Sequence, residues 1–164
     1  INDIYIIGHS YGTQIINYLC NNLSNDINIV KKIYLEPVCF ICSLKNTYNL
    51  AYRGFKWNSN KKLSSNINQF IFYYFVSSDI YFQALVKRYE SVLNFYEYFL
   101  NLDENSMIIV GGKDSIIDPY SLKLHCEKNW EKCKLHYFDN EIHGFIYHTN
   151  NSDRIKTLIE DFIK

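Results

Sequence analysis

The chain is 164 residues long, 48% hydrophobic and 21% charged, and its 17 basic and 17 acidic side chains cancel to zero net charge. That length suits one domain with its own core, or a large part of a bigger one. Balanced charge argues against a dedicated nucleic-acid binder, and no run of 18 apolar residues offers a membrane span. Two prolines, six glycines and 17% aromatics exclude collagen-like and ordinary disordered chains.

Five cysteines (Cys20, Cys39, Cys42, Cys126 and Cys133) are too few and too scattered for a disulfide scaffold. Cys39 and Cys42 have the spacing of half a zinc site, but no second ligand pair accompanies them and Val38, Phe40 and Ile41 surround them, so they read as small buried hydrophobes. Counts of 22 Ile, 19 Asn and 15 Tyr, with 14 Lys against 3 Arg, follow A/T-rich codons, which leaves each Gly, His and Pro as the better signal. The sequence opens at Ile1, inside an apolar run and without Met. We therefore expect a piece of a longer protein, with any targeting or membrane segment upstream of it.

In chain order, Ile4-Tyr5-Ile6-Ile7 is a short β-branched run, the pattern of a strand buried on both faces. Gly8-His9-Ser10-Tyr11-Gly12 follows, then a helix with Ile15, Ile16, Leu19 and Leu23 on its inward stripe. A second strand is expected from about Ile29 to Leu35, closed by Glu36-Pro37. Residues 58–68 are polar, and Phe70 to Leu102 reads as one or two aromatic-rich helices, with Leu85, Tyr89, Val92, Tyr96 and Phe99 on one stripe. The aromatics around Phe70 to Phe82, with Trp57 upstream, fit a wall for an acyl chain and ordinary helix packing equally well.

Met107 to Val110 is a third buried strand, ending in Gly111-Gly112-Lys113-Asp114. Pro119 to Trp130 forms a helix with proline at its start. Lys134 to Phe138 is a fourth strand, Asn140 to Gly144 the loop after it, and residues 152–164 a terminal helix with Ser152 as N-cap and Ile155, Leu158, Ile159 and Phe162 inward. Strands alternating with helices predict an α/β fold with a parallel sheet of about four strands and no internal repeat.

Gly8-x-Ser10-x-Gly12 between a buried strand and an amphipathic helix is the setting of a nucleophile elbow, a tight turn that lifts a serine hydroxyl above the sheet edge. The turn crowds its neighbours, which accounts for glycine at Gly8 and Gly12. A serine nucleophile needs a base, and the base needs an orienting carboxylate. Asp114 follows the third strand and His143 the fourth, so all three candidates sit at the C-terminal ends of parallel strands, where open α/β sheets place their sites. Asp118, on the same loop as Asp114, is an alternative acid, and His148 an alternative base. His9 is expected to shape the pocket, and His125 and His136 to be structural. A metal site from His143 and His148 lacks a third ligand, so neither metal nor cofactor is expected.

These segments resemble the C-terminal part of an α/β-hydrolase-fold serine hydrolase, from the elbow onward. The elbow, Val110-Gly111-Gly112-Lys113-Asp114 and Ile142-His143-Gly144 carry the likeness. It implies Ser10 as nucleophile, Asp114 as acid, His143 as base and the Tyr11 N–H as one oxyanion-hole donor. It also implies three segments: residues 1–37 with the elbow strand, helix and next strand, 38–102 as a helical lid inserted after the second strand, and 103–164 with the acid strand, base strand and terminal helix. Glu36-Pro37-Val38-Cys39-Phe40, Tyr52-Arg53 and Tyr74 to Arg88 resemble an uncharacterised eukaryotic, membrane-associated group of this fold, although Glu36 stands where that group has Asp. The implied activity is cleavage of a small-molecule or lipid ester, in a protein anchored to membrane through upstream segments, with no nucleic-acid partner. The alternative is a catalytically inactive α/β-hydrolase domain kept as a binding scaffold. The second oxyanion donor comes from an earlier loop in this fold, so residues 1–164 alone are expected to be poorly active, with the Ile4 strand as an aggregation-prone edge.

Overall fold

The computed structural model describes residues 3–22, 27–40, 59, 63–74, 102–147 and 149–164. Four strands form one parallel sheet in the order β1-β2-β3-β4: β1 (Asp3–His9), β2 (Asn28–Leu35), β3 (Ser106–Gly111) and β4 (Lys134–Phe138). The helices are α1 (Gly12–Asn22), α2 (Leu63–Phe72), α3 (Pro119–Asn129) and α4 (Thr149–Ile163), with a 3-10 turn at Phe145–Tyr147. This is the expected α/β architecture, and the register, with Ile7 beside Ile33 and Leu35 beside Ile109, aligns the strand ends at one edge.

Every residue of β3 is buried, because helices cover both faces and leave no polar side to alternate. Tyr34, Ile108 and Val110 point to the face covered by α1 and α3, where they meet Ile16, Leu122, Cys126 and Trp130. Ile33, Leu35, Met107, Ile109 and Phe138 point to the opposite face and meet Phe145, Ile155 and Phe162. Each such side chain contributes roughly 1.5–3 kcal/mol by leaving water.

β1 corrects one expectation: it is not buried on both faces, since Tyr5 and Ile7, on one face, are 50% and 48% exposed. The stripe of α1 is also turned from the expected one. Its buried residues are Thr13, Gln14, Ile16 and Asn17, while Ile15 is 54% exposed. Thr13 must face the carbonyl of Ser10, and this fixes the rotation of the helix. Leu23 lies outside the described residues.

α2 starts within the stretch read as polar, ahead of the helix expected from Phe70; Leu63, Ile67, Phe70, Ile71 and Tyr74 recur at helical spacing, yet all are exposed. The helices expected beyond Tyr74 lie outside the described residues. α4 begins at Thr149, so Ser152 sits inside the helix and is not its N-cap. Among the described residues no helix is long and apolar enough to cross a membrane.

Candidate active site

β1 ends at His9 and α1 opens at Gly12, leaving Ser10 and Tyr11 to turn the chain. Ser10 has φ +50°, a left-handed backbone that costs an L-residue roughly 1–2 kcal/mol. The surroundings hold it there. Its N–H donates to the Leu35 carbonyl at 2.9 Å, and its carbonyl accepts from the Thr13 N–H at 3.0 Å and from the Thr13 hydroxyl. Because the Thr13 and Gln14 N–H groups donate to the Ser10 and Tyr11 carbonyls, the Ser10 hydroxyl is not consumed in capping α1.

A Cβ on Gly8 would lie 2.7 Å from the Gly12 carbonyl oxygen and 2.8 Å from Ile16 Cδ1, whereas a Cβ on Gly12 would meet open space. Crowding therefore demands glycine at Gly8 only, a correction to the symmetrical expectation. Gly12 enters the contact through its carbonyl, not through a missing side chain.

The turn after β3 packs backbone to backbone against the loop after β4. A Cβ on Gly111 would strike the Glu141 carbonyl at 2.6 Å, and one on Gly112 the Asp139 carbonyl at 2.7 Å. The Gly112 and Lys113 N–H groups donate to the Phe138 and Glu141 carbonyls, each at 2.8 Å. The buried Phe145 ring, 5.0 Å from that of Phe138, anchors the far end of the loop.

This framework brings Asp114 and His143 together. Asp114 Oδ1 accepts from the Ile116 and Ile117 N–H groups at 2.8 and 3.1 Å, and Oδ2 lies 2.6 Å from His143 Nδ1. A carboxylate can only accept, so Nδ1 carries the proton and Nε2 presents a lone pair. Nε2 lies 3.0 Å from Ser10 Oγ. Burial pulls the His143 imidazolium down, but the Asp114 hydrogen bond and charge, with the charge of Glu36, outweigh it and hold the group above the ordinary imidazole value. Among the described residues, no hydrogen bond engages the Tyr11 N–H at the positive end of α1.

The competing residues lie elsewhere. Asp118 caps α3, accepting from the Ser121 N–H at 3.0 Å and from its hydroxyl at 2.9 Å. His125 sits edge-on to Trp130, and His136 lies in β4, where burial, then Lys134 and Arg154, pull its imidazole down. Cys39 and Cys126 belong to the core, and burial pushes the Cys133 thiol up to about 12, which leaves no thiolate at neutral pH. Cys42 and His148 lie outside the described residues.

One group of contacts escapes sequence reasoning. Glu36, fully buried at the end of β2 and also at positive φ (+48°), places Oε2 2.7 Å from His9 Nε2 and accepts from the Gly144 N–H through Oε1 at 2.7 Å. His9 Nδ1 lies 2.9 Å from the Tyr147 hydroxyl, and its ring is 5.7 Å from that of His143. An acidic residue at the C-terminal end of a strand next to the elbow strand was the available signal. His9, Glu36 and His143 also bring one ligand atom each within 4.8 Å. Those atoms are already committed to hydrogen bonds, and a cation there would displace a bond of His143 or His9.

No family model matches the sequence, and no curated protein matches it. Solved structures do. A Pyrococcus furiosus esterase matches in two crystal forms, at 17% identity and a TM-score of 0.55 over 99% of this chain and 53% of the esterase, and at 14% and 0.59 over 98% and 52%. A point variant of a meta-cleavage product hydrolase matches at 17% identity and a TM-score of 0.58, over 99% of this chain and 65% of that one. The chain thus spans between half and two thirds of the length of these structures. At such identities the likeness is one of architecture: the chain has the fold of part of an α/β-hydrolase domain.

Proposed function

We propose that the protein is a serine hydrolase that cleaves an ester-like acyl bond through Ser10, His143 and Asp114. The observation that carries this reading is the continuous row from Ser10 Oγ to His143 Nε2 at 3.0 Å and from His143 Nδ1 to Asp114 Oδ2 at 2.6 Å, beginning at a serine in a strained turn. Strain at a residue over-determined by its neighbours is the mark of a pre-organised site.

In this mechanism His143 Nε2 takes the Ser10 proton as Oγ attacks the acyl carbonyl. Asp114 keeps the proton on Nδ1 and stabilises the imidazolium that forms. The Tyr11 N–H, with the positive end of α1 behind it, donates to the oxyanion. His143 passes its proton to the departing alkoxide and leaves an acyl group on Ser10. Water then attacks that ester while His143 takes its proton, and collapse of the second tetrahedral intermediate frees the acid and returns the proton to Ser10. Small-molecule and lipid esters both fit this chemistry.

Hydrolysis of p-nitrophenyl esters of graded acyl length by the full-length protein tests the reading. Turnover by wild type that disappears in Ser10→Ala and in His143→Ala supports it. A folded wild type with no turnover on any ester, or turnover that survives in Ser10→Ala, refutes it.

A further inference from the structure

We propose that Glu36 is a positioning residue for this reaction: its buried carboxylate joins the turn bearing Ser10, through His9, to the loop bearing His143, through the Gly144 N–H. The inference rests on Ser10 and His143 being nucleophile and base. Among the described residues, three positions have positive φ, namely Ser10, Glu36 and Gly144, and all three belong to this one network. Left-handed backbone costs about 1–2 kcal/mol at each of the two non-glycine sites, so it persists only where several contacts impose it.

The contacts are specific. The Glu36 N–H donates to the Ile109 carbonyl at 2.8 Å, tying its backbone to the strand that leads to Asp114. Leu35, just before it, accepts from the Ser10 N–H at 2.9 Å. Glu36 Oε1 then fixes the residue after His143, and Oε2 the residue before Ser10. As a carboxylate only accepts, His9 Nε2 donates to Glu36, and a neutral His9 accepts the Tyr147 proton at Nδ1. Tyr147–His9–Glu36 thus repeats the order hydroxyl, imidazole, carboxylate of Ser10–His143–Asp114. In both rows the second carboxylate oxygen is spent on backbone N–H groups.

Two effects on His143 follow. Its loop is held at the distance where Nε2 reaches Ser10, and the negative charge of Glu36 favours the imidazolium formed during attack. The groups facing His143 among the described residues are Asp114 from the turn after β3, Glu36 from the end of β2 and the His9 ring from the end of β1. Removing the Glu36 charge while keeping its shape therefore moves the titration of His143 in a known direction, toward lower pH.

The test is Glu36→Gln, measured by the rate of covalent labelling with a fluorophosphonate across pH, beside kcat and KM on p-nitrophenyl butyrate. Glutamine keeps the acceptor for the Gly144 N–H, and His9 can change tautomer to meet its amide, so the fold is retained. We expect the plateau labelling rate and kcat to fall about 10-fold, because the imidazolium formed during attack loses the charge of Glu36, with KM little changed. The midpoint of the labelling profile is expected to move to lower pH. A residue that only supported the fold would lower the melting temperature and leave rate per active site and midpoint where they are; that result overturns the proposal. Wild type that labels beside an equally fast Glu36→Gln protein refutes the role of Glu36 alone. Wild type that does not label refutes the nucleophile as well. Should Glu36→Gln not fold, Tyr147→Phe decides: it removes one exposed hydroxyl, is expected to slow labelling about 3-fold by freeing the His9 ring, and an unchanged rate overturns the proposal.

Discussion

Asp114→Asn probes the proposed mechanism at a place where the structure says what survives and what is lost. The replacement oxygen can still accept from the Ile116 and Ile117 N–H groups, so the turn after β3 stays closed. The amide nitrogen falls where Oδ2 now lies 2.6 Å from His143 Nδ1, and there it donates. His143 must then accept at Nδ1, which moves its proton to Nε2, the atom facing Ser10 Oγ at 3.0 Å. A protonated Nε2 cannot take the serine proton. Loss of the correct tautomer with the geometry intact costs roughly 10⁴-fold in kcat, or about 5 kcal/mol of transition-state stabilisation. Steady-state hydrolysis of p-nitrophenyl butyrate measures it, with circular dichroism to confirm folding. Asp118→Asn is the control, since asparagine caps helices as well as aspartate and can still accept from the Ser121 N–H; its activity should match wild type. A loss below 10-fold in a folded Asp114→Asn protein, or a large loss in Asp118→Asn, would refute the assignment of the acid.

Four further outcomes follow from the same structure. His143 acts as base only when neutral, and its raised pKa places the acid limb of the pH profile of kcat/KM above the ordinary imidazole value of ~6.5; a midpoint below that contradicts the Asp114 and Glu36 contributions. The stability that His143 supplies has the matching sign: it is complete below the unfolded imidazole value and is lost as pH rises through the folded one, which denaturant titrations at several pH values would show. Gly8→Ala should displace the elbow and abolish most turnover, because its Cβ meets a carbonyl and Ile16, whereas Gly12→Ala should fold and turn over like wild type; equal effects would contradict the asymmetry. Asn17 is 1% exposed, and neither polar atom of its amide has a partner among the described residues, so Asn17→Leu should stabilise by ~1–3 kcal/mol in urea denaturation, and a destabilisation would mean that the amide is satisfied.

Much of the fold is legible in the sequence because its buried strands are chemically uniform. Met107 to Val110 lies in a strand at the expected place, since a strand covered on both faces is a continuous apolar run with few alternatives, and Lys134 to Phe138, of which only Phe138 is buried, is also a strand where expected. Ser10 and Asp114 stand out because each follows an apolar run at a turn carrying glycine, and His143 because it lies in the loop after the next strand. Less legible are features set by partners distant in sequence. The rotation of α1 is dictated by Thr13 facing the Ser10 carbonyl, so the hydrophobic stripe misplaced Ile15. The exposure of Tyr5 and Ile7 depends on what packs on their face of β1, which an apolar run does not encode. Glu36 reads as the end of a strand, and only folding across 108 positions brings it to Gly144 and across 27 to His9.

The most direct measurement of the central claim is mass spectrometry of the full-length protein after reaction with a fluorophosphonate. An activated Ser10 predicts one phosphonyl adduct per chain, on the peptide containing Gly8-His9-Ser10-Tyr11-Gly12, absent from Ser10→Ala and suppressed in His143→Ala. A folded wild type that carries no adduct, or an adduct on any other residue, would contradict the account and leave the fold without the proposed chemistry.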